Sequence, residues 1–200
     1  MLDHELQLQE LAHRFKNLLT IVRAVVGQSL RSAVSIEDAG AAIDGRLATL
    51  NRTVEQLLDA DWNTAPLAVL AQNALVHFSA YADRWQCGGP AVDLGPSSAM
   101  TLVLALNELA TNAVKYGAFS NNTGTVELVW QVVESGDDAE LWLQWTERGG
   151  PPVQKPERQG FGSRLISTAA GRGLRGRADL DFPKSGVTWT LVAPLAALRA

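Results

Sequence analysis

Two apolar stripes at heptad-like spacing constrain this chain most. Leu11, Phe15, Leu18, Val22 and Val25 recur at steps of four, three, four and three. At 100° per residue they fall within about 40° of one another on a helical wheel. The spacing predicts a helix over residues 4–31 with one face for burial. Ile43, Leu47, Leu50, Val54 and Leu57 repeat the steps, predicting a second helix over 36–61 with N-cap character at Ser35. The linker is short enough for an antiparallel hairpin. One hairpin leaves a broad apolar face open, and two copies would close it as a four-helix bundle. His13 lies about 200° from Leu11, on the outward side with Lys16 and Asn17.

The periodicity changes after "DWNTAP". Pro66 can start a helix over 67–81. "AVDL" reads as a short strand and residues 97–118 as a helix with Leu102, Leu106, Leu109 and Ala113 on one side. "TVELVWQVV" and "AELWLQWTE" flank the turn "ESGDD", the pattern of a strand hairpin. A helix is expected over about 162–172. "GRADLDF" and "GVTWTLVAPL" read as a closing strand pair. Mostly antiparallel strands with helices on one face predict a two-layer α/β sandwich. The expected domains are 1–63 and 64–200.

Composition excludes several classes of function. A net charge of −4 and 46% apolar residues describe a globular chain without the basic stripe that nucleic-acid binding needs. The arginines of "GRGLRGRADL" read as a solvated turn. Cys87 is the single cysteine, so it forms no internal disulfide, and clustered Cys/His metal ligation is not expected. No apolar run reaches membrane-spanning length, and the acidic start is no signal peptide, so the expected location is cytoplasmic.

Three polar groupings carry chemistry. Glu108 and Asn112, four apart, share a helix face. Their oxygens suit magnesium, which prefers hard ligands and keeps company with phosphates. Lys115 lies one turn further and can reach a phosphate. Glu147 ends an apolar strand just before Gly149 and Gly150, where a carboxylate can accept from the exocyclic amine of a base and glycines allow close backbone approach. Gly160 and Gly162 precede a helix whose first amides can hold phosphate. Neither a GxxxxGK[ST] loop nor a GxGxxG fingerprint in its strand–turn–helix setting is present.

Taken in order, these pieces resemble the histidine kinases of two-component signalling, and more narrowly the HWE subfamily. "ELAHRFKNLLTIVRAVVGQSLR" is similar to its phosphoacceptor segment and "ALNELATNAVKYGAFS" to its magnesium-binding helix. "WTERGGPPV" supplies Trp145 and Glu147 of the Trp-x-Glu motif, and "GFGSRLI" and "SGVTWTLVAP" complete the nucleotide domain. The resemblance spans residues 5–194. It implies a dimeric helical hairpin followed by an ATP-binding sandwich of the Bergerat type. It implies phosphorylation of His13, with Glu108 as the neighbouring carboxylate, Asn112 on magnesium and Glu147 on adenine. Gly149, Gly160 and Gly162 would shape the pocket, with Arg14, Lys16 and Asn17 flanking the phosphoacceptor. ATP and Mg²⁺ are the implied cofactors. The implied partners are a second copy, a response-regulator receiver domain and an upstream sensor domain or protein. The chain departs from the subfamily at Asn107, where a histidine is usual. No sensing segment precedes the hairpin, which fits either an excised fragment or a stand-alone kinase. The alternative is a histidine phosphotransferase or docking scaffold without ATP-dependent activity.

Overall fold

The structure is a computed structural model that describes residues 2–60, 62–135, 138–153, 166 and 170–199. It divides into two compact units, Met1–Leu47 and Ala48–Ala200, and the division falls inside the second helix.

The first unit holds α1 (Leu2–Ser32) and the start of α2 (Ile36–Asp59). Residues 33–35 join them. Ser35 caps α2 as its sequence suggests. Its Oγ accepts from the Asp38 N–H at 3.1 Å, and Asp38 Oδ2 accepts from the Val34 N–H at 3.3 Å. That is a close variant of the reciprocal capping box. Val25 and Ala39 are buried here. Buried Arg46 donates to Ser29 Oγ at 2.6 Å, and the same hydroxyl donates to the Val25 carbonyl. The guanidinium is thus buried with a hydrogen-bond partner, as a charge away from water requires.

The second unit begins with the remainder of α2, whose Leu50 and Leu57 are buried. Next come β1 (Ala65–Pro66), α3 (Leu67–Leu75), β2 (Trp85–Gly88), β3 (Asp93–Leu94) and α4 (Pro96–Lys115). β4 (Thr125–Ser135), β5 (Asp138–Arg148), α5 (Ala170–Gly173), β6 (Arg177–Asp181), β7 (Thr188–Pro194) and α6 (Leu195–Leu198) complete it. β1 and β3 pair separately, and the other strands form one sheet in the order β2-β4-β5-β7-β6. β2 runs parallel to β4, and every other neighbour is antiparallel. The sheet is therefore mixed.

Strand alternation builds the core. Leu128 and Trp130 of β4, Leu141, Leu143 and Trp145 of β5, and Trp189 and Leu191 of β7 are all buried. The registers Leu128↔Trp145 and Trp145↔Trp189 put them on one face. The leucines of α3 and α4 join the same cluster, giving helices over one face of the sheet. Each of the three tryptophans finds an acceptor for its indole N–H: the Pro90 carbonyl, the Glu147 carboxylate and the Ile166 carbonyl.

Several expectations need correction. The helix expected over 67–81 is α-helical only to Leu75 and continues as a 3₁₀ helix over Val76–Tyr81, broken at Phe78 (φ −104°, ψ 27°). β-branched and aromatic residues in "VHFSAY" favour the α-helix poorly. The helix expected over 97–118 ends at Lys115, just before Gly117. β2 was not among the expected strands. The helix expected over 162–172 falls largely outside the described residues. Among the described residues no helix is long and apolar enough to cross a membrane.

Candidate functional site

α4 starts with Pro96 at its first turn, where a missing N–H loses nothing. Its apolar side, Leu102, Leu106, Leu109 and Ala113, is buried as the spacing predicts. Glu108 is also buried, Asn112 is half-buried and Lys115 is exposed in the last turn. A cation at that end opposes the helix dipole favourably.

The end of α4 leads straight into the Glu147 environment. The Gly117 N–H donates to the Asn112 and Ala113 carbonyls, both at 3.1 Å. One residue on, the Ala118 N–H donates to Glu147 Oε2 at 2.8 Å. Trp145 Nε1 donates to Glu147 Oε1 at 3.3 Å. Glu147 lies on the core face because it continues the period-two row Leu141, Leu143, Trp145 along β5. It is only 3% exposed, so a carboxylate occupies a position that alternation reserves for apolar side chains. Burial pushes its pKa above the ordinary carboxylate value, and the bonds from Ala118 and Trp145 pull the other way.

Glycines allow this closeness. A methyl on Gly117 would overlap the Glu147 carboxylate. One on Gly150 would meet the Ala118 backbone at 3.0 Å. Gly149 adopts a φ of +68°, a conformation that favours glycine, and turns the chain out of β5.

The structure thus brings Glu147 and Gly149 to the end of the helix that carries Glu108, Asn112 and Lys115. His13 belongs to α1, and its side chain lies outside the described residues, as do those of Arg14 and Asn17. Gly160 and Gly162 lie outside the described residues altogether. Asn107 lies about 100° round the helix from Glu108; buried, it donates from Nδ2 to Thr49 Oγ1 on α2 at 3.3 Å. Sequence reasoning missed Gly117, Ala118 and Asn121, although "KYGAFSNN" directly follows the helix that it did single out.

The fold is that of solved histidine kinase domains, and the buried carboxylate lies at the end of the sheet's central strand. The solved histidine kinase domain of the Erythrobacter litoralis EL346 blue-light activated histidine kinase superposes with a TM-score of 0.64, at 16% identity. The match covers 91% of this chain and 86% of that one. The longer Erythrobacter litoralis EL346 structure gives 0.61 at 18% identity, over 95% of this chain and 59% of the other. Residues 10–91 match the family model of the HWE histidine kinase. The chain is 36% identical over 196 residues to a blue-light-activated histidine kinase of Brucella anthropi, covering 98% of this chain and 40% of that protein. A namesake from Brucella ovis is 35% identical over 188 residues, covering 94% and 38%. The chain therefore spans about two fifths of the length of these relatives. Residues 10–91 thus carry the match to the HWE histidine kinase family, and the chain is similar to these kinases over almost its whole length.

Proposed function

We propose that this chain is the catalytic core of a two-component kinase, with residues 1–63 as a dimerising phosphotransfer hairpin and 64–200 as the ATP-binding domain. It phosphorylates His13 from ATP and passes the phosphoryl group to an aspartate of a response-regulator receiver domain. The observation that supports this most is the buried Glu147 carboxylate, held by the Ala118 N–H against the end of the Asn112 helix. Such a carboxylate, framed by glycines, suits the amine of an adenine ring. Asn112, Lys115 and the phosphate chain then lie toward one end of α4.

The residues fit magnesium. Asn112 offers a neutral carboxamide oxygen on a half-buried helix face, with the Glu108 carboxylate one turn away. Bound there, magnesium neutralises charge on the phosphates. Among the described residues no group of three His, Cys, Asp or Glu could hold an ion alone. Asn112 would act together with phosphate and water oxygens.

In the transfer itself, a neutral His13 ring nitrogen uses its lone pair to form a bond to the γ-phosphorus. The bond from that phosphorus to the bridging oxygen breaks, and ADP leaves with the electron pair. The ring's other nitrogen then gives up its proton, and Glu108 is the acceptor in this reading. Lys115 steadies phosphate charge, and Gly149, Gly160 and Gly162 shape the pocket. An upstream sensor domain or protein would control the reaction.

Incubation with γ-labelled ATP and magnesium tests the proposal. Wild type should gain an acid-labile, base-stable label, and His13→Gln should gain none. Undiminished labelling of the variant would overturn the assignment of His13. An unlabelled wild type that accepts label from a phosphorylated receiver domain would replace the kinase reading with that of a phosphotransferase.

A further inference from the structure

We infer that Arg84 and Asn121 are positioning residues for nucleotide binding, fixing the segment 117–124 so that Glu147 and Gly149 stay set against the end of α4. The inference rests on reading that site as the ATP site.

The segment leaves α4 and returns into β4 with only a 3₁₀ turn at Ala118–Ser120 for regular structure. Most of its backbone groups must find partners elsewhere. Arg84, just before β2, supplies two bonds. Its guanidinium donates to the Asn121 carbonyl at 2.6 Å and to the Gly124 carbonyl at 3.3 Å. The same group lies over the Tyr81 and Phe119 rings, at 5.0 and 5.6 Å from their centroids. Tyr81 and Phe119 stack at 4.7 Å with an interplanar angle of 15°. One arginine therefore grips the segment by its carbonyls and by its aromatic side chain.

Asn121 uses both ends of its amide. Oδ1 accepts from the N–H groups of Gly124 at 2.7 Å and Thr123 at 3.0 Å, the local turn that asparagine favours. Nδ2 donates to the Gly149 carbonyl at 2.8 Å. Gly149 is two residues from Glu147, and Glu147 itself accepts from Ala118. Two bonds thus tie the segment to the end of β5, one on each side of Phe119. Neither Arg84 nor Asn121 is among the groups expected to touch nucleotide, so both would act through Glu147 and Gly149.

The two ends of Asn121 can be separated. Asn121→Asp keeps the oxygen that holds the turn but loses the donor to Gly149. Asn121→Ser is an uncharged variant that can still cap the turn and cannot reach Gly149. Calorimetry of the full chain with a non-hydrolysable ATP analogue and its guanine counterpart reads the result, alongside thermal melting. Both variants should lose roughly three- to tenfold in adenine-nucleotide affinity, the scale of one hydrogen bond. Their preference for adenine over guanine should narrow, with melting temperatures within about 3 °C of wild type. Arg84→Met should show the same loss and Arg84→Lys should recover most of it. Wild-type affinity and base preference in both Asn121 variants would overturn the inference while leaving the ATP site standing. A wild type that binds neither analogue would overturn the reading of the site, and this inference with it.

Discussion

Asn107 on α4 donates its side-chain amide to Thr49 Oγ1 on α2 across 3.3 Å, with both residues buried. At the position where the subfamily usually carries a histidine, this chain links the helix of Asn112 to α2. A buried amide deprived of its partner costs about 1–3 kcal/mol, whereas removing both partners costs less. Asn107→Leu and Thr49→Val should therefore each lower stability, and the double variant by less than their sum. Urea denaturation of all four proteins should give a coupling of about 0.5–1.5 kcal/mol. Strict additivity would show that the contact contributes nothing to stability.

Gly117 and Gly124 both sit against their surroundings, but against different kinds of atom. A methyl on Gly117 meets chiefly the far end of the Glu147 side chain, with the Ala113 backbone at 3.0 Å, and one on Gly124 overlaps the Ala118 carbonyl and backbone. A carboxylate can swing aside, and the backbone cannot. Gly124→Ala should cost about 1–3 kcal/mol of stability, typical of overpacking. Gly117→Ala should cost less stability but displace Glu147 from the Ala118 N–H, and so weaken adenine-nucleotide binding more. Denaturation and calorimetry on the pair check this. The same ranking of the two variants in both measurements would refute it.

These contacts show where sequence reading stopped. Helix periodicity put Leu102, Leu106, Leu109 and Ala113 in the core, and strand alternation with the glycines beyond it marked Glu147. Both are local patterns, carried by side chains two to four residues apart. The Asn107–Thr49 bond joins residues 58 apart, and the Arg84 grip on Asn121 spans 37. No local pattern encodes such pairs. β2 was missed for a related reason: "WQCG" is four residues long, and its parallel pairing with β4 is set by a distant partner. The break after Leu75 had a local signal in the β-branched and aromatic residues that follow, but apolar spacing outweighed it.

Glu147 should also leave a mark on the pH dependence of stability. Burial raises its pKa, more than the bonds from Ala118 and Trp145 lower it. The folded chain then holds this proton to a higher pH than the unfolded chain does. Stability from this group is full below the ordinary carboxylate pKa and is lost as pH rises through the raised value. Glu147→Gln does not titrate and escapes that loss. The stability difference between the two proteins should move in favour of the glutamine variant as pH rises from the ordinary carboxylate pKa of about 4.3 through the raised one. Denaturation at several pH values measures it. A difference moving toward wild type over that range would mean that the hydrogen bonds outweigh burial.

α1 exposes large apolar side chains along one side. Phe15, Leu19 and Leu30 are 63%, 49% and 61% exposed. Val22 and Val26, spaced between them, are half-buried. Steps of four, three, four and four run these five residues along one side of the helix as an apolar ridge. Large apolar side chains aligned in this way on a surface mark an interaction site rather than a solvated face. In the proposed kinase the occupant is the α1 ridge of a second copy, with Phe15 and Leu19 meeting their equivalents across the bundle. Light scattering at micromolar concentration should give twice the chain mass of 21.5 kDa. The pair of substitutions Phe15→Glu and Leu19→Glu places charge in that seam and should halve the measured mass, while the melting of the second unit stays unchanged. A wild type that is monomeric at these concentrations, yet labels His13 at full rate, would exclude the dimer from the mechanism.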